Sequence, residues 1–594
     1  MNEYDVIVIG GGLLGCFVAR NLARYKLKIA LLEKREDLCT GISRANTAII
    51  YSGCDTKPGT LKTSMCVRSA QEFSLLCDEL GVRYSRCGSI MVSFGERGAD
   101  VLRNKLETGI ENGVRGMRLL TREDVLELEP NIATNVHSGL YVPDTGTVMP
   151  WELCLAAAEN AAVNGVKIML NTEVTAIARN VQSNAECGMR NAELRSEGAA
   201  QGAGSGSQGS GDESTELSSF AGTNKSYFYD LLSSDLILES DDKFMNEARY
   251  LISTNIGTFF ARGVINCAGM SADGVFEMLF EPTVRIVPSA GDYFILDTKA
   301  SGHIKHVIFH EPEVKDKGLT LVPTVDGNIL IGPTERPGDD FETTGAGLAE
   351  LRELIAQVIP TLPLEHIIRS FGAVRPNPHM LRASAEPNAK CVMRNAGLGN
   401  EGDGDAGSSR KWKVVSCKLG TSDTDDVYVL DDKSVSDFCI VESDGGAFIS
   451  LVGVKTPGLT CANELGVYVA DKVASYLGAA LNPAFDPKRI APARLCDMSF
   501  DERESQSKSK DPCYSRIVCR CRGISEGEIV NAIHRFPGAS TLDGVKRRTG
   551  AGSGRCQSGF CGQRVIELLA RELGCLPEKI TKDGEGSYFF SEKV

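Results

Sequence analysis

The chain opens on YDVIVIG, a nearly unbroken apolar run without polar alternation, the pattern of a strand buried on both faces. LLGCFVARNLARY follows with apolar residues three and four apart, which predicts a helix, and LKIALLEK predicts a second strand. Residues 5–34 therefore read as strand, glycine turn, helix, strand. Similar α/β texture continues to about residue 178, where WELCLAAAENAAVNG predicts a helix closing at Gly165. Strand-like text returns at FFARGVINCAG.

Two stretches break this texture. Gly198 to Ser219 (GAAQGAGSGSQGSGDESTELSS) carries too little apolar surface to order itself and predicts a disordered insertion. Asn395 to Lys413 (NAGLGNEGDGDAGSSRKWK) predicts a second surface insertion. With their flanks the insertions span about 180–250 and 385–430, and both are expected to decorate a fold that closes without them. DERESQSKSKDP (Asp501 to Pro512) predicts a polar linker between a body of residues 1–500 and a segment 513–575, with 576–594 as a tail. At 594 residues the chain is long enough for two or three domains with their own cores.

Charge separates the two parts further. The net charge of −14 argues against nucleic-acid binding. Cys513 to Cys575 holds ten Lys/Arg against five Asp/Glu, so this segment is +5 and the remainder −19. No run of about eighteen apolar residues occurs, so no membrane span is expected, and any membrane association would be peripheral through a partner. The start has neither a basic leader with a cleavage site nor an Arg/Ser-rich transit peptide, which gives a cytoplasmic expectation. Most of the twenty cysteines, Cys16, Cys39, Cys54, Cys66, Cys77 and Cys87 among them, are isolated and read as small buried hydrophobes.

Gly10-Gly11-Gly12-Leu13-Leu14-Gly15 satisfies G-x-G-x-x-G. Gly10 makes the tight turn, Gly12 lets the backbone approach a pyrophosphate, and Gly15 lets the helix pack on the strand. The pattern alone is weak, since GSGSQG (204–209) and GLGNEG (397–402) also match it inside low-complexity text. Only the first copy has a strand before it, a helix after it and an acidic residue, Glu33, placed to accept hydrogen bonds from ribose hydroxyls. One fingerprint in context favours a single FAD over a flavin and nicotinamide pair.

TGISRANTAIIYSGCDTKPGTLK after Glu33, VINCAG, LVPTVDGNILIGPT, FGAVRPNP and LVGVKTPGLTCANELG occur in that order. Together they resemble the FAD-dependent oxidoreductases of the D-amino-acid-oxidase superfamily, which includes glycerol-3-phosphate and L-2-hydroxyglutarate dehydrogenases. The resemblance covers about residues 4–480 apart from the insertions. It implies an α/β chain in which a Rossmann-like FAD-binding domain (about 1–90, 150–180, 260–275 and 435–480) interleaves with an α+β substrate domain carrying a mostly antiparallel sheet. It places Ser43 and Asn46 near the cofactor and Ala268 and Gly269 at a strand end that leaves room for it. Gly453, Pro457, Gly458, Leu459 and Thr460 would present backbone amides where negative charge grows on flavin reduction. Arg375 would clamp a carboxylate or phosphate, with an ion pair of structural purpose as the alternative. Tyr293 and Lys317 would line the same pocket. Tyr51 stands where many relatives carry histidine, and an unperturbed tyrosine is poorly matched to accept a proton near neutral pH. Either the base lies elsewhere or the substrate differs from that of the histidine-bearing members.

Near the C-terminus, Cys519-x-Cys521 and Cys556-x4-Cys561 flank helical text (EGEIVNAIHRF). Four thiolates suit a tetrathiolate site, and C-x-C counts against a common zinc ribbon. CRCRGISEGEI and LDGVKRRTGAGSGRCQSGFC resemble the bacterioferritin-associated-ferredoxin-like [2Fe-2S] domain over about residues 515–570. The resemblance implies a small helical domain with these four cysteines as ligands. Arg520, Arg522, Lys546, Arg547, Arg548 and Arg555 would then hold the cluster's negative charge or dock an acidic partner. The expectation is a flavin-dependent dehydrogenase resembling the catalytic subunits of anaerobic glycerol-3-phosphate dehydrogenases. It would oxidise a small anionic hydroxy compound, glycerol 3-phosphate before others, and pass electrons through the cluster to a protein partner. Oxidation of L-2-hydroxyglutarate or another 2-hydroxy acid, or of an amino or imino acid, is the alternative within the class, and a non-catalytic electron-transfer or iron-handling protein is the alternative outside it.

Overall fold

The computed structural model describes residues 2–180, 248–311, 318–383, 414–416, 427–431, 433–506, 508 and 512–590. Both low-complexity stretches lie outside them. β1 (Glu3–Ile9), α1 (Leu13–Leu22) and β2 (Ile29–Leu32) form as the sequence predicts, with β1 and β2 parallel in the register Ile9↔Leu32. Strand Gly257–Asn266 runs parallel on the other side of β1, and Phe448–Val452 runs parallel beside that. Lys167–Met169 closes the parallel part next to β2. Both faces are covered, which is why β1 reads as continuous apolar text. One face packs on α1 and on helices Pro150–Val163 and Ala462–Leu477, through Phe17, Leu22, Leu153 and Val469. The helix predicted to end at Gly165 is this second one, with Pro150 in its first turn and Gly165 at φ +93° just past its end.

Strands Val174–Arg179 and Tyr250–Thr254 pair antiparallel, and the Asn180 N–H donates to Arg249 O at 2.7 Å. The first insertion thus leaves and re-enters at the closed end of a paired hairpin, so the sheet closes without it. The second lies between two turns of pairing in the other sheet: Val414–Ser416 and Val427–Leu430 extend the far end of strand Ile367–Ala383, so ordered strand occurs inside the range read as insertion.

Among the described residues that second sheet has eleven strands and is antiparallel except where Val307–His310 meets Ser89–Ser93. Its spine is the long pair Val284–Leu296 and Ile367–Ala383. Helix Gly345–Val358 covers its core of Phe294, Leu296, Leu321 and Ile331. LVPTVDGNILIGPT forms the expected hairpin, with Leu321 opposite Ile331. A third unit begins after helix Phe500–Ser505, which Ser499 and Glu502 cap within the stretch read as linker. It holds a short antiparallel pair (Ile517–Cys519 and Ile524–Ser525) and helices Glu526–His534, Leu542–Thr549 and Gly562–Leu573 around Ile529, Val545, Val565 and Leu568. Among the described residues no helix is long and apolar enough to cross a membrane.

Candidate functional site

The parallel strands end on one side of their sheet, where an open α/β sheet binds its ligand. Gly10 turns there at φ +104°, and a Cβ on it would lie 2.5 Å from Cys267 O. A Cβ on Gly15 would lie 1.9 Å from Gly10 O, so only glycine lets α1 sit so close to the turn. The Glu33 carboxylate, buried at the end of β2, accepts from the Gly11 N–H at 2.6 Å and the Arg35 N–H at 2.9 Å. Burial raises its pKa against the pull of those two amides. Ser43 Oγ accepts from the Leu13 N–H at 3.0 Å, tying the loop after β2 to the helix start. Asn46 braces the same loop, donating to Ser43 O and accepting from the Ala48 N–H.

A cavity of about 1450 Å³ runs from this turn into the cleft beneath the second sheet. Gly10, Gly12, Glu33, Ser43, Asn46, Ala268 and Gly269 line its dinucleotide end; Tyr51, Tyr293, Arg375, Pro457, Gly458 and Leu459 line the other. Gly15, Gly453 and Thr460 lie behind the wall. Thr460 Oγ1 accepts from the Tyr51 N–H at 2.9 Å. Lys317 lies outside the described residues. The expected row of amide donors is shorter than the sequence suggested. Pro457 has no N–H and Gly458 donates to Lys455 O, which leaves Leu459 as the cavity-lining amide of that run.

At the other end, Arg375 Nη1 binds Glu335 Oε1 at 3.0 Å, with both side chains partly open to the cavity. Burial pushes the Tyr51 and Tyr293 phenols up, so neither is a base near neutral pH. Tyr293 is fixed by stacking on Phe371 with ring centroids 4.8 Å apart. Among the cavity residues that escaped the sequence reading are Lys455 and His310. Lys455 stands inside the quoted GVKTPG, and its ammonium is pushed below the ordinary lysine value by burial and then by Lys62 and Arg375. His310 ends strand Val307–His310 on the same cavity. The flanking motif was a signal for Lys455. For His310 only the strand end was.

In the small domain, Cys519 Sγ lies 3.9 Å from Cys521 Sγ, which lies 3.8 Å from Cys556 Sγ. Cys519 and Cys561 are buried, Cys521 is exposed and Cys556 half-buried. Cys561 stands at the N-terminus of helix Gly562–Leu573, where its hydrogen bond to Cys519 and then burial push its thiol up. Hydrogen bonding from Cys561 outweighs burial and, with the Gly552 and Arg522 N–H groups, pushes the Cys519 thiol down to about 5. Four cysteines gathered at one end of this domain are the donor set a [2Fe-2S] cluster takes.

These two sites match known proteins. The family described as FAD dependent oxidoreductase matches residues 5–207 and 241–402, and the BFD-like [2Fe-2S] binding domain matches residues 517–571. The chain belongs to the FAD dependent oxidoreductase family. It carries FAD and, in its C-terminal domain, a [2Fe-2S] cluster, and it is similar to a glycerol 3-phosphate dehydrogenase of Caloramator mitchellensis, 34% identical over 99% of this chain and 98% of that one. A glycerol 3-phosphate oxidase of Mycoplasma pneumoniae is 26% identical over 63% of this chain and 84% of its own length. Among solved structures, the L-alpha-glycerophosphate oxidase of Mycoplasma pneumoniae with FAD bound aligns at TM-score 0.59 and 22% identity, over 83% of this chain and all of that one. The glycerol-3-phosphate dehydrogenase of Bacillus halodurans complexed with FAD aligns at TM-score 0.56 and 14% identity, over 97% and 91%. These two likenesses establish the fold.

The cations of the oxidoreductase's small domain are spent differently from the sequence expectation. Arg547 and Arg548 close on the buried Asp37, Arg522 on Asp326, Arg555 on Asp297 and Arg535 on Glu159, all carboxylates of the body. Lys546 is buried in the same seam, where burial and then Arg369 push it down to about 8. Arg520 alone of the six has no ion pair among the described residues. The acidic partner of this basic domain is, in large part, the chain's own body. Asp583 adds to the seam: it binds Arg547 at 2.7 Å, pairs with Arg44 beside Ser43, and reaches the cavity.

Proposed function

We propose that this FAD-dependent dehydrogenase oxidises glycerol 3-phosphate and passes the electrons through its [2Fe-2S] cluster to a partner protein. The observation that carries the substrate reading is the pair of cations, Arg375 and Lys455, on one cavity wall. Two neighbouring cations suit a phosphate dianion better than a single carboxylate. Similarity to a glycerol 3-phosphate dehydrogenase along the whole chain supports the same substrate.

When bound, FAD supplies the hydride acceptor and the cluster a one-electron carrier. Arg375 spends one Nη on Glu335, which leaves the rest of its fork for phosphate oxygens. Lys455 adds a point charge beside it. The phenols of Tyr51 and Tyr293 stay protonated and donate hydrogen bonds to the substrate. The hydroxyl proton goes to His310, the histidine on the described cavity wall, imidazole being the side chain best suited to general-base work.

Anaerobic mixing with glycerol 3-phosphate, L-2-hydroxyglutarate and a panel of amino acids, followed at the flavin band, tests this reading. Bleaching by glycerol 3-phosphate is expected. Bleaching by another member of the panel alone replaces the substrate, and bleaching by dithionite alone makes the protein a non-catalytic relay.

A further inference from the structure

The two cysteines at the open edge of the cluster site each have an arginine as chain neighbour, and each arginine is held by a carboxylate from one corner of the substrate domain. Arg522, next to Cys521, binds Asp326 at 2.7 Å with both side chains largely buried. Arg555, next to Cys556, reaches Asp297 at 3.3 Å. Asp326 sits in the turn between strands Thr320–Pro323 and Ile329–Ile331, and Asp297 caps the turn Thr298–Ala300. Asn328 Nδ2 joins these turns by donating to Leu296 O at 2.7 Å. Asp326 is anchored from its other side by Arg83, also at 2.7 Å, and Arg83 in turn reaches Glu152. The Asp326 carboxylate is therefore rigidly placed, and so is the guanidinium it holds.

We propose that Asp326 is a positioning residue that sets the reduction potential of the [2Fe-2S] cluster, by holding and neutralising Arg522 beside Cys521. The inference rests on the cluster and is independent of which substrate reduces the flavin. A cluster that takes one electron gains one negative charge, with no proton needed. A cation beside its sulfurs stabilises the reduced form, and a carboxylate paired to that cation cancels much of the effect. The substrate domain thereby reaches the redox property of the small domain through one ion pair. The small domain works in its docked place, with the cluster's open edge fixed against the body.

The test is a mediated redox titration of the [2Fe-2S] signal by electron paramagnetic resonance on the full-length, cluster-loaded protein, with no substrate present. Asp326→Asn leaves the Arg522 charge uncompensated and is expected to favour the reduced cluster about tenfold, a rise of about 59 mV for one electron. Arg522→Gln is expected to move the potential the opposite way, and the double variant to return it close to wild type. A structural role alone would move the single variants in the same direction and the double variant further. Such a result, or an unshifted potential in Asp326→Asn, overturns the proposal. If Asp326→Asn does not accumulate, Asp326→Glu and Arg522→Gln carry the test, and an unshifted potential in Arg522→Gln with a shifted one in Asp326→Glu overturns it.

Discussion

Asp37→Asn is the sharpest probe of the seam between the two redox domains. In the native chain Arg547 donates to Asp37 at 3.2 and 2.7 Å and Arg548 at 2.8 and 2.7 Å. The two arginine side chains are 6% exposed and Asp37 is 1% exposed. Removing one partner of a buried ion pair leaves a desolvated charge and costs about 3–5 kcal/mol. Here both cations keep other acceptors. Arg547 retains Asp583, and Arg548 retains Pro537 O and Gly544 O. The low end of the range, about 3 kcal/mol, is therefore expected, which is about a hundredfold in the balance between docked and undocked small domain. Hydrogen exchange of the amides in helix Leu542–Thr549 reads that balance directly. Exchange in Asp37→Asn should be faster by about that factor, while the core of the FAD domain exchanges as before. Replacing Asp37, Arg547 and Arg548 together by Leu, Met and Met should recover most of the loss, because a buried triad and its apolar substitute are often close in energy. An exchange rate changed by less than about fivefold in Asp37→Asn, or a triple variant worse than the single one, would refute the reasoning.

Acid should loosen the same seam. Burial works to raise the Asp37 pKa, but Arg548 and Arg547 outweigh it and hold the carboxyl below its ordinary value. A depressed carboxylate contributes stability that is complete above the unfolded value of about 3.9 and is lost as pH falls through the folded value. Exchange of helix Leu542–Thr549 should therefore rise in the wild type below about pH 4, and rise less in Asp37→Asn. Gly15→Ala would force a methyl group against Gly10 O; it should weaken FAD binding about tenfold to a hundredfold, measured by flavin fluorescence on dilution. Lys455→Met should raise KM for glycerol 3-phosphate about tenfold or more, through loss of a charged hydrogen bond, and leave dithionite reduction of the flavin unchanged.

The dinucleotide end was legible because its requirements are local. A buried parallel strand, a turn that excludes Cβ and a helix start are all written in neighbouring residues, and Gly10, Gly15 and Glu33 stand where that grammar puts them. The proposed cluster ligands stood out for the same reason, since Cys519 with Cys521 and Cys556 with Cys561 are close pairs in the chain. The substrate end was harder. Arg375 comes from the long strand of the second sheet and Lys455 from the segment after strand Phe448–Val452, and only the fold brings them to one wall. The basic surplus of the last domain showed in the count of charges, but its acceptors did not. Asp37, Asp297 and Asp326 are single carboxylates in unremarkable loops, and nothing in their surroundings says that arginines hundreds of residues away will bury them.

Asp583 has a consequence for how the protein is made. It touches Arg44, in the loop that closes over the first glycine turn, and so supplies a rim of the cavity from more than five hundred residues further along. Helix Ala462–Leu477, which packs on α1, also arrives late in translation. A nascent chain on the ribosome can fold β1, α1 and β2 early, yet it cannot finish the vessel they belong to. Completion of the cavity rim is accordingly a late event, and an N-terminal fragment expressed without the last domain is expected to emerge as paler, less retentive protein than the full chain.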